Sequence, residues 1–297
     1  MKRGYLRRRS AIAGLIFVSP WIVGFLLFTA YPLFASIRYS FSKVTFPLDG
    51  FKLEPVGIQN YTTVLMNDAD FKVALPAYLM QLCCYVPMIL VFSCMLALLL
   101  NSPIRLRKLV RAIFFLPVII LSGPVMDNLS KLGAAQLKGL TTFPVYTFIE
   151  KYLPGAVSTP ILYVFEHAVM ILWFCGVPIL IFLSGLQKTD NAIYEAAMVD
   201  GASPWQSFWK ITIPSLRSFF FLNGVYSVVE ISMRASNPIV TLIKDGMFQI
   251  TRGFGFSAAV SMIYFLIILA AVLVLYLLFG REKKDVVVYE KRRPTKS

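Results

Sequence analysis

The sequence predicts an all-α, polytopic membrane protein with six transmembrane helices and one helical hairpin between the fourth and the fifth. Three observations predict it. The 297 residues are 58% hydrophobic and 15% charged, with a mean hydropathy of +0.71, a balance that soluble domains rarely show. Apolar runs long enough to cross a bilayer as helix recur along the whole chain. Lys and Arg gather at the ends of those runs, where they set orientation. The formal net charge of +14 therefore reads as a topology signal, and no nucleic-acid partner is expected.

In chain order, residues 1–10 (MKRGYLRRRS) form a basic tail without an acid, and residues 11–280 form the six-helix domain. The first span, Ala11 to Ala35, is too long for a secretory signal and lacks a small-x-small cleavage site, so it is expected to remain as an anchor. A polar, turn-rich segment, 38–75, separates it from the second span, Pro76 to Leu100. The loop NSPIRLRKLVR (101–111) is basic. The third span, Ala112 to Asn128, carries Pro117 and Pro124, which are expected to bend it. After a mixed loop (129–157) come the fourth span, Ile161 to Leu186, the fifth, Ser215 to about Ser236, and the sixth, Phe256 to Phe279. Residues 281–297 are a second basic tail. Nineteen of the 29 Lys and Arg fall on the tails, the 101–111 loop and the 188–217 segment if both termini are cytoplasmic, which is the orientation that six spans require.

Residues 188–214, KTDNAIYEAAMVDGASPWQSFWKITIP, read as the hairpin. Asp190 is a helix N-cap, and Gly201 stands where a helix end needs positive φ. Ser203, Pro204 and Gln206 open a second helix with a capping box, and Trp205, Phe208 and Trp209 share one of its faces. Charge placement puts this hairpin in the cytoplasm, where it suits docking on another protein.

The string EAAMVDGASPWQSFWKITIP resembles the EAA signature of ABC importer permeases, E-A-A, three residues, Gly, nine residues, I-x-L-P. Glu195, Ala196, Ala197, Gly201, Ile211 and Pro214 match, and Ile213 replaces the usual leucine. SPWIVGFLLFTAYPLFASIRYSFSK, VGIQNYTTVLMNDADFKVAL, RAIFFLPVII and GFGFSAAVS are similar to the carbohydrate branch of the type I, binding-protein-dependent permeases. PIVTLIKDGM, 238–247, departs from that family's T-x-G-G-P turn, and the 129–157 loop lacks its asparagine-containing segment. The resemblance implies a permease subunit that translocates a sugar or oligosaccharide. It implies a second permease subunit, a homologue or a copy, two cytoplasmic ATPase subunits and an extracytoplasmic solute-binding protein. The matched positions would then couple to the ATPase, and ATP-Mg would sit on the ATPase subunits. The chain itself has no G-x-x-x-x-G-K-[ST] loop and is expected to hold no cofactor.

Two readings of the fifth span stand side by side. Glu230 and Arg234 are four residues apart, with Asn237 a turn further and Asn223 about two turns earlier. They either line a path for a polar solute or pair with one another inside the helix bundle, since charge at membrane depth is costly. Trp173 could stack on a sugar ring or simply pack. Glu166 and His167 fall near the outer end of the fourth span, and Gln81, Asp127 and Asn128 are further polar positions. Trp21 and Tyr31 read as interface or core aromatics. Cys83, Cys84, Cys94 and Cys175 lie in apolar runs without metal-ligand spacing and read as free thiols. Other polar solutes (a sugar phosphate, polyamine or peptide) fit the same machine. A membrane enzyme would call for clustered acids or histidines, whereas His167 stands alone. A channel would leave the hairpin without a purpose.

Overall fold

The computed structural model describes residues 2–45, 50, 52–101, 132, 143–249 and 251–280, with side chains from Gly14 onward. The expected third span, nearly all of the 101–111 loop and the tail 281–297 lie outside the described residues. A long first helix runs as α1 (Lys2–Phe25), a π turn (Leu26–Ala30) and α2 (Tyr31–Ser40). A two-stranded antiparallel hairpin follows, β1 (Ser42–Thr45) with β2 (Lys52–Pro55), Val44 opposite Leu53. Then come α3 (Gln59–Thr62) with a second π turn (Thr63–Asn67), and α4 (Ala69–Asn101). The later elements are α5 (Pro144–Tyr152), α6 (Gly155–Glu166), α7 (Ala168–Phe174), α8 (Gly176–Lys188), α9 (Asn191–Val199) and α10 (Pro204–Ser207). A π turn (Phe208–Thr212) leads to α11 (Ile213–Ser215), α12 (Arg217–Met233), α13 (Pro238–Met247) and α14 (Gly253–Leu275), which ends in a π turn (Tyr276–Gly280).

Among the described residues three helices are long and apolar enough to cross a membrane, Gly14–Ser40, Ala69–Asn101 and Gly253–Gly280. The pair α6 and α7 counts as a fourth if taken together. Gly14–Ser40 buries none of its apolar window within this chain, and Phe17 is 88% exposed. Such a helix is stable only against hydrocarbon or another protein.

The expected continuous fourth span is broken. α6 and α7 meet at 67° at His167, and a second break falls at Cys175. The causes are local. His167 Nδ1 lies 2.9 Å from the Tyr163 carbonyl, which also accepts the His167 N–H at 3.1 Å, and its ring stacks on Tyr163 at 4.2 Å, so the side chain competes for a carbonyl of the last turn. Pro178 has no N–H to give the Phe174 carbonyl, so the helix restarts at Gly176. Proline also accounts for two of the π turns. Tyr31 donates to Leu26 and Ile213 to Phe208, each just before a proline, Pro32 and Pro214, whose ring would press on a carbonyl of a regular helix.

The chain divides into two compact units. The first comprises residues 1–81 and 232–268, the second 82–231 and 269–297. In the first, Phe71, Tyr78, Ile239, Ala259 and Val260 are buried, with Tyr78 edge-on to Tyr264 at 4.9 Å. In the second, Ile89, Ile171, Cys175, Phe182 and Leu216 are buried, and Phe182 meets Phe220 edge-on at 4.7 Å. All four cysteines are free, as expected.

Candidate functional site

The 190–214 hairpin is shaped almost wholly by its own sequence. Asp190 Oδ1 accepts the Ala192 N–H at 3.0 Å and starts α9. α9 ends in a Schellman turn, in which Ala202 N–H bonds the Ala197 carbonyl (2.9 Å) and Gly201 N–H the Met198 carbonyl (3.0 Å). Gly201 takes φ +79°, which explains glycine there without any appeal to crowding, since a Cβ would meet only open space. Ser203 and Gln206 then form the reciprocal capping box, at 3.3 and 2.9 Å. Two hydroxyl contacts close the base of the hairpin: Tyr194 with Thr212 (3.0 Å) and Thr189 with Ser215 (3.4 Å).

The outward face is apolar. Met198 (64%), Val199 (88%) and Trp205 (69%) are exposed, and Trp205, Phe208 and Trp209 form one aromatic cluster with centroids 5.1–6.1 Å apart. Apolar side chains thus stand exposed on a frame fixed by its own caps, the kind of surface that marks interaction sites. Glu195 and Ala196 are exposed beside it, and Ala197 and Ile211 are half-buried. Pro214 is exposed and borders a cleft behind the hairpin. The six matched positions thus fall on one small element.

On α12, Asn223, Ser227 and Glu230 recur at i, i+4 and i+7 on one helix face. Ser227 was missed by the sequence reading because a serine in an apolar run carries no signal of its own. Asn223 is 0% exposed, and neither of its side-chain polar atoms makes a hydrogen bond; the same holds for Ser227 Oγ. Each such unmet group costs about 1–3 kcal/mol. This stripe belongs to the second unit, Arg234 and Asn237 to the first.

The structure takes Asn237 off the fifth helix, which was expected to carry it one turn further. α12 stops at Met233, one residue before Arg234. Asn237 Oδ1 caps α13, accepting from Ile239 (2.9 Å) and Val240 (3.4 Å), while its Nδ2 donates to the Tyr264 hydroxyl (3.1 Å). Tyr264 in turn donates to the Ser232 carbonyl (2.8 Å), and Tyr78 Oη lies 2.6 Å from Ser232 Oγ. Pro238 at the first turn of α13 allows this cap, so PIVTLIKDGM forms a helix. Trp173 is half-buried, edge-on to Phe174 at 5.0 Å, and Glu166 accepts a hydrogen bond from Tyr146 (3.1 Å).

Three of the stretches singled out in the sequence converge in the first unit. Asn60 Nδ2 donates to the Ser40 and Ser42 carbonyls (2.9 and 3.0 Å), and Tyr61 Oη lies 2.7 Å from Ser40 Oγ. Gly255 packs against the Ser42 carbonyl so closely that a Cβ would overlap its oxygen. Arg252 bonds Asp70 and, at 2.7 Å, Asp68; the hydrogen bond to Asp70, ahead of the surrounding carboxylate charge, drives the guanidinium pKa further up.

No protein-family model matches the chain. It is 28% identical to the probable ABC transporter permease protein YesP of Bacillus subtilis, over 93% of each chain. It is 27% identical to the lactose transport system permease protein LacF of Rhizobium radiobacter, over 95% of this chain and 98% of that one. A crystal structure of a bacterial ABC transporter involved in import of the acidic polysaccharide alginate contains a chain that superposes with a TM-score of 0.58 at 19% identity, covering 96% of this chain and all of that one. That degree of identity speaks for a shared fold alone. The alginate transporter has also been solved in complex with an alginate pentasaccharide-bound periplasmic protein, where the matching chain gives a TM-score of 0.57.

Proposed function

We infer that this chain is the permease subunit of an ABC importer that moves a sugar or oligosaccharide across the membrane. It is a transport subunit, and ATP is hydrolysed on separate ATPase subunits. The likeness along nearly the whole chain to ABC transporter permeases, one of them a lactose permease, supports the family, and the 190–214 hairpin supports the mechanism. The hairpin's exposed apolar face, built on E-A-A spacing, is the observation that carries the reading. It suits insertion of a short helix into a groove on the ATPase. In this reading the chain crosses the membrane six times with both termini cytoplasmic. It pairs with a second permease subunit, works with two ATPase subunits and receives solute from an extracytoplasmic binding protein.

Asn223, Ser227 and Glu230 are the residues we assign to the solute path. The buried, unmet hydrogen-bonding groups of Asn223 and Ser227, with half-buried Glu230 on the same face, suit successive contacts with sugar hydroxyls. Arg234, which follows α12 in the chain, is the cationic candidate of the first unit, whereas the capping role of Asn237 leaves its side chain committed to α13.

The test uses Gly201. Gly201→Val forces a β-branched side chain into positive φ, and Gly201→Asp adds charge to the docking face; both should abolish uptake and co-purification of the ATPase while membrane insertion persists. Gly201→Asn, which tolerates that backbone without charge, should retain most of both. Normal uptake in the Val and Asp variants would overturn the coupling role. For the solute path, Asn223→Leu should change uptake while ATPase binding is unaffected, and unchanged transport would assign Asn223 to packing.

A further inference from the structure

In the second unit a cleft of about 540 Å³ opens behind the hairpin. Val91, Cys94, Met95 and Leu98 of α4, at i, i+3, i+4 and i+7, form one wall, and Trp209 and Phe279 form others. Among the described residues Arg217 is the one charged residue that lines it, and its guanidinium donates to the Leu278 carbonyl at 3.2 Å. One of five N–H donors is engaged in that bond, which holds the cation at the end of the last helix.

We infer that this cleft holds an acyl chain of an anionic phospholipid from the cytoplasmic leaflet, with the lipid phosphate on Arg217. The proposal rests on the permease reading only for the side of the membrane. Chemistry argues against a sugar or nucleotide, because the walls are almost wholly apolar and offer no array of donors and acceptors. An alkyl chain needs only apolar walls, and its phosphate needs a cation at the rim. Position agrees, because Arg217 opens α12 and Phe279 lies in the closing turn of the last helix, where spans end and headgroups begin. Trp209 and Pro214 belong to the coupling hairpin, so the lipid would brace that hairpin from behind.

The test is retention of lipid by the full-length chain. Purified protein is placed in nanodiscs of mixed phosphatidylglycerol and phosphatidylcholine, released, and weighed by native mass spectrometry. Phosphatidylglycerol should be retained about tenfold over phosphatidylcholine, the preference expected of one charge-assisted contact. Arg217→Gln should erase the preference and Arg217→Lys should restore most of it. Leu98→Trp should expel the lipid by filling the cleft, with Met95→Trp, at a more exposed position, as the second filling variant. Equal retention of the two lipids, or retention unchanged in both the Gln and filling variants, would overturn the proposal. So would capture of another protein in place of lipid by a cross-linker on Met95→Cys. The readout is bound lipid, not uptake, so its failure leaves the permease reading standing, and a chain that bound no ATPase would still report on the cleft.

Discussion

The 190–214 hairpin and the 40–60 segment are both short, turn-built connections, yet they are held by opposite means. In the hairpin nearly every fixing hydrogen bond spans two to five residues: Asp190 to Ala192, Ala202 to Ala197, Gln206 to Ser203. In the 40–60 segment the fixing bonds reach 18 to 20 residues along the chain, from Asn60 to Ser42 and Ser40, and Gly255 closes over the same carbonyl from near the C-terminus. The hairpin keeps its apolar face outside, whereas the other segment spends its polar groups inside its own unit. An element that must fit a separate protein is served by a shape that does not depend on tertiary support. An element that completes its own fold is served by contacts that only that fold can supply.

Substitutions can break this comparison. The largest effect is expected from Gly255→Ala, whose Cβ would overlap the Ser42 carbonyl, which is backbone and has no easy way to yield. A loss of 3 kcal/mol or more is expected, as about the upper range for overpacking, read as loss of monodisperse protein and a lower melting temperature. Asn60→Ala follows, leaving two carbonyls without their donor at about 1–3 kcal/mol each. Asn60→Asp should cost as much despite its matching shape, because a carboxylate cannot donate. Both should leave ATPase binding by the surviving folded protein unchanged. Ser203→Ala should have the smallest effect on stability, about 1 kcal/mol locally, seen as faster amide exchange over 205–207 with an unchanged global melting temperature. If Ser203→Ala instead unfolded the chain, the hairpin would not be the self-contained element described above.

The same contrast explains what the sequence could reveal. The hairpin was legible down to its cap residues because Asp190, Gly201, Ser203 and Gln206 act on neighbours a few positions away. Spans were legible where apolar runs were long. The β1–β2 pairing, the Asn60 clamp and the capping by Asn237 were not, since each depends on partners that spacing does not disclose. The break at His167 is hidden for a related reason: hydropathy counts a histidine and a proline as dips in an apolar run and carries no geometry. On α12, Asn223 and Glu230 were picked out by polarity, but Ser227 between them needed the helix face to be noticed.

The hairpin's self-sufficiency has a consequence for biogenesis. The hydrogen bonds that shape it lie within residues 185–215, so they can form as soon as that stretch has left the ribosome, before the last helix is made. Val199 and Trp205 are exposed on the isolated chain, so on the permease reading they would be open to chaperones and proteases until a partner covers them. On that reading the exposed face would double as a marker of the orphan subunit. Pulse-chase lifetimes should lengthen when the ATPase is co-expressed, and Trp205→Ala should lengthen the lifetime of the orphan alone.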